Sequence, residues 1–62
     1  MSFAPGAYEA KRNIIDLQLE AIKARLIEMD ERQKRSPTDW GWVGNAAHVN
    51  EQLAEIMEFL SR

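Results

Sequence analysis

Apolar positions in the first half of the chain fall into two rows. Tyr8, Ile15, Leu19, Ile22, Leu26 and Met29 lie on one, with Arg12 and Gln33 on the same line. Their spacing alternates between three and four, the repeat of a helical seam. Ala7, Ala10, Ile14, Leu17, Ala21 and Ala24 form the second row. At about 100° per residue the two rows are centred roughly 135° apart on one helix. Lys11, Gln18 and Arg25 lie between them, and Asp16, Glu20, Lys23 and Asp30 take the opposite, solvent side. A helix with one neighbour needs one row. A bulky row together with an alanine-rich one predicts two neighbours.

The boundaries follow from the punctuation. Pro5-Gly6 reads as a breaker pair that leaves residues 1–6 as an irregular lead. Between Ala7 and Arg35 there is neither proline nor glycine, and strong helix formers dominate. Glu28–Arg32, Asp30–Lys34 and Glu31–Arg35 are spaced for acid-to-base pairing one turn apart. The first predicted helix therefore runs over about 7–35, a rod about 43 Å long. Ser36-Pro37-Thr38-Asp39 is a helix-start signature, with Ser36 as cap, Pro37 in the first turn and Asp39 third. Trp40-Gly41-Trp42-Val43-Gly44 leaves two possibilities, a short turn followed by a break or a continuous helix weakened by its glycines. From about Asn45 to Ser61 the periodicity is strong again. Trp42, Ala46, Val49, Leu53, Ile56 and Leu60 make a single row, widened by Ala47, Ala54 and Met57.

These elements predict an all-α fold for residues 1–62. It is an antiparallel helical hairpin: helix about 7–35, a Trp-containing connection about 36–44, and helix about 45–61. A hairpin of two helices has little interior, and pairing two copies into a four-helix bundle gives each row a partner. The expected seam of that bundle is Tyr8, Ile15, Leu19, Ile22, Leu26, Met29, Val49, Leu53, Ile56 and Leu60. Ile14, Leu17, Ala21 and Ala24 supply a second packing stripe.

Size and composition sharpen the expectation of a partner. The chain has 62 residues and no cysteine, so neither disulfides nor thiolate zinc can stabilise it. Hydrophobic residues make up 45%, or 28 positions, of which eight are alanine, leaving 20 larger side chains for a core. The net charge of −2 lacks the basic excess of a protein built chiefly for phosphate binding. No apolar run reaches the length of a membrane span or signal core, which makes a cytoplasmic protein the default expectation.

Candidate chemistry is sparse. His48 is the single histidine, and no nucleophile motif surrounds Ser2, Ser36 or Ser61. His48, Glu51 and Glu55 share a helical face but read as a solvated polar surface, since a metal site also needs an organised outer shell. No cofactor and no catalytic or metal residue is expected. Gly41-Trp42-Val43-Gly44 has the spacing of the KH nucleic-acid clamp, but its middle residues are apolar. Trp40 and Trp42 place a large apolar area near the turn. Trp42, on the seam line, reads first as a cap that packs against Met29 and the last turn of the first helix; Trp40, beside Pro37, reads equally as a cap or as a contact point, and Trp40, Trp42 and Phe59 are the candidate partner-binding residues. Phe59 lies off the main row of the second helix, and Ile27 and Phe3 are further candidates for a contact patch. Gln18, between the two rows, would fix register if buried.

The function expected from this pattern is a non-enzymatic interaction or regulatory module, a homodimeric helical bundle that binds another protein. In length and in the hairpin-dimer plan the chain is similar to the plasmid-encoded Rop type of RNA-binding bundle. No motif is shared, and the connection here is longer and bears tryptophan. The resemblance implies a second reading, an RNA-binding regulator using the basic positions Lys11, Arg12, Lys23, Arg25, Arg32, Lys34 and Arg35. Nucleic acid ranks below protein as the expected partner because most of these bases have an acid within helical reach.

Overall fold

The computed structural model describes the backbone of residues 4–62 and the side chains of residues 6–62. Phe3 lies outside the described residues. The chain is all-helical, with two helices joined by a short connection and no strand among the described residues. α1 spans Ala4–Arg35, 32 residues or about 48 Å. α2 spans Gly41–Leu60, 20 residues or about 30 Å. The chain divides at Glu31 and Arg32 into two compact units.

α1 begins three residues before the expected Ala7, so residues 4–6 are helical and not part of an irregular lead. The reason lies in the first turn. Its N–H groups have no partner inside the helix, so the N–H that Pro5 lacks is not missed there, and proline's fixed φ already suits the helix. Gly6 is simply carried along in helical geometry. The far end carries Arg32, Lys34 and Arg35 in its last turn, where cations meet the negative end of the helix dipole.

Charge pairing along α1 differs from the expected set. The ion pairs formed among the described residues are Arg12–Asp16, Glu20–Lys23 at 3.5 Å and Arg25–Glu28 at 3.1 Å. Glu28 thus takes the arginine three residues before it and not Arg32, and neither Asp30–Lys34 nor Glu31–Arg35 closes. A helix offers each carboxylate bases at both three and four residues' distance, so spacing alone does not choose among them. All three pairs are solvent-exposed and contribute little to stability.

The connection is built differently from the expected cap. The Ser36 N–H donates to the carbonyls of Arg32 and Gln33, at 3.2 and 3.1 Å, and closes α1. Pro37 cannot continue that ladder. The Asp39 N–H then donates to Ser36 O at 3.1 Å, which makes Ser36–Asp39 a turn with proline at its second position. No described residue has positive φ, so the chain leaves α1 without a left-handed residue. The side-chain cap of α2 comes from Asp39, not Ser36: Asp39 Oδ1 accepts the Gly41 N–H at 2.8 Å. A carboxylate there also meets the positive end of the α2 dipole.

α2 is continuous through both glycines, the second of the two possibilities left by the sequence. The Val43 and Gly44 N–H groups donate to Trp40 O at 3.1 and 3.3 Å, so the helix is already wound at its first turn. Two glycines cost about 1 kcal/mol each relative to alanine, yet the helix runs through both. At its end the Ser61 N–H donates to Met57 O and Glu58 O, and the Ser61 hydroxyl donates to Met57 O at 2.8 Å. The Arg62 guanidinium stands 5.9 Å from the centre of the Phe59 ring, within cation–π range.

Candidate interaction surface

Burial decides what these helices can do alone. No residue among those described is fully buried, apolar or polar. In the first unit the bulky row is half-buried at Leu26 and Met29, while Tyr8, Ile15, Leu19 and Ile22 are exposed. Even Ile22 leaves 37% of its surface to solvent. The second row is open throughout: Leu17 is 72% exposed, and Ala7, Ala10, Ile14, Ala21 and Ala24 are exposed with it. Gln18 is exposed between the rows.

In the second unit Trp42, Ala46, Val49 and Leu53 are half-buried, and Ile56 and Leu60 are exposed. The two tryptophans separate sharply. Trp40 is 81% exposed. Trp42, two residues on and on the seam line, is half-buried, and its indole Nε1 is shut off from solvent with no hydrogen-bond partner. Around them Gln33, Pro37, Asp39, Trp40, Trp42 and Val43 line an open depression of about 140 Å³. The sequence pattern singles out the tryptophans and the last turn of the first helix, where Gln33 lies, but not Val43. Val43 follows Trp40 by three residues, helical spacing that makes such neighbours once α2 is known to be wound this early. Phe59 is 68% exposed, as are Ile27 and Met57 in large part.

The polar candidates stay apart. His48, Glu51 and Glu55 are exposed. No three histidine or carboxylate side chains among the described residues come together in a way that would hold a metal ion. Of the basic positions, Arg12, Lys23 and Arg25 are each tied to a carboxylate of the same helix. No described helix is long and apolar enough to cross a membrane. Large apolar side chains are exposed on each helix. Comparison of the chain with protein-family models, with characterised proteins and with solved structures finds no match.

Proposed function

We propose that this chain is a non-enzymatic interaction module that works as a homodimeric helical bundle and regulates or scaffolds another protein. The observation that carries the reading is the lack of any fully buried residue among those described, although large apolar side chains run the length of both helices. Apolar surface of that extent is a binding surface or an aggregation hazard. Two copies that cover each other's rows remove the hazard. Trp40, exposed and lining the depression with Pro37, is then the anchor offered to a further protein, since tryptophan is enriched among the residues that carry most of an interface's binding energy.

Sedimentation equilibrium across micromolar concentrations tests the dimer. The expected mass is twice the 7.1 kDa of one chain. A mass of one chain throughout overturns the reading. An RNA-binding bundle ranks second, because three of its basic side chains are already engaged by carboxylates. A shift of structured RNA at low salt, where phosphate binding is strongest, would move it to first place.

A further inference from the structure

α1 carries two apolar rows, and the alanine-rich one, Ala7, Ala10, Ile14, Leu17, Ala21 and Ala24, is exposed at every position. The alanine-rich row has the composition for the closer approach, with Ile14 and Leu17 at its centre and alanines on either side.

We infer that this row, Ala7 to Ala24, docks against the same row of a second copy with the two α1 helices antiparallel. This rests on the homodimer reading above and names its interface. The row reads the same from both ends. Placed antiparallel about a two-fold axis, Ile14 faces Leu17 of the second copy, Ala10 faces Ala21, and Ala7 faces Ala24. Large side chains meet large ones at the centre, and alanine meets alanine toward the ends. That is the self-complementarity a two-fold interface requires.

Charge selects the direction. The spacing of the row continues into Glu28 and Glu31. A parallel pair would set each of these carboxylates against itself. The antiparallel pair instead brings Glu28 to the N-terminal end of the other α1, which has no acid in its first turn and presents the positive end of its dipole. The nearest flanking positions carry no like charges: Lys11 falls beside Gln18 of the second copy, and Asn13 beside Glu20.

Because the chain has no cysteine, disulfide trapping reads the geometry directly. The experiment compares Ala10→Cys, Ala21→Cys and the double variant under mild oxidation, with helicity checked by circular dichroism. On one helix positions 10 and 21 are about 16 Å apart, too far to bridge. The inferred pairing crosslinks the double variant into a covalent dimer and leaves both single variants uncrosslinked. Crosslinking of either single variant shows a parallel pair and overturns the inference. No crosslinking in a double variant that still sediments as a dimer overturns this interface and leaves the dimer standing. A double variant that sediments as one chain, like the parent protein, removes both. A second variant, Leu17→Glu, meets the two-fold axis twice. It should weaken self-association roughly tenfold or more while the exposed position leaves the helix intact, and unchanged association counts against the row.

Discussion

α1 and α2 are both amphipathic helices, yet they are organised on different terms. α1 carries two apolar rows with charges between them, and three of its bases are paired to carboxylates along its own surface. α2 carries one row, and the positions that flank it are uncharged: Val43, Asn50 and Met57 on one side, Asn45, Gln52 and Phe59 on the other. Its acids, Glu51, Glu55 and Glu58, are set on the outer side. A helix with one broad neutral face is complete once that face is covered. A helix with two rows divided by charge needs a neighbour on each, and the charges between limit how those neighbours can align. The difference between the helices, more than the size of the chain, is what favours the proposal of a second copy.

The strongest way to break this comparison is a charge in the bulky row of α1. Leu19→Asp should lower stability by about 2 kcal/mol or more, which for a domain of this size is a fall in melting temperature of roughly 8–16 °C. Thermal denaturation followed by circular dichroism measures it, and an unchanged melt means the row is not a packing face. Next comes the α2 cap. Asp39→Ala removes the acceptor of the Gly41 N–H and should cost about 1 kcal/mol. Retained stability would show that water caps the helix as well.

The glycines of α2 give a sharper, smaller contrast. At Gly44 an added methyl group meets open space, so Gly44→Ala should stabilise the chain by about 0.5–1 kcal/mol. At Gly41 the same methyl would lie 3.0 Å from Asp39 Oδ1, and Gly41→Ala should gain less than Gly44→Ala because the cap must shift. Equal gains in urea denaturation would mean the Asp39 cap contributes nothing. The smallest effect belongs to the solvent side of α1. Lys23→Glu loses an exposed pair with Glu20 and should change stability by about 0.5 kcal/mol or less; a large loss would place a neighbour on a face assigned to solvent.

Both helices were legible from periodicity and from the run without proline or glycine between Ala7 and Arg35. The connection was less so. Ser36 and Asp39 are both good capping residues, and only the backbone path after Pro37 decides between them. Pro5-Gly6 looks like a break because the sequence does not say that its proline falls in a first turn, where a missing N–H costs nothing. The separation of Trp40 from Trp42 was legible in part, since Trp42 falls on the row and Trp40 does not. The unpartnered indole nitrogen of Trp42 left no trace in the sequence, because hydrogen-bond satisfaction is a property of surroundings and not of spacing.

The turn after α1 has a consequence for how freely this protein can drift. Helix exits that rely on a left-handed residue tie one position to glycine or asparagine. Here none is needed: proline stops one helix and a carboxylate starts the next. Ser36 and Thr38 are exposed and sit in ordinary backbone geometry, so almost any side chain should fit at either place. A library randomised at those two positions would return a broad mixture of folded chains, whereas one randomised at Pro37 and Asp39 would narrow quickly. The link between the helices is thus a place where a tag, a label or a new recognition element can be written with little cost to the fold.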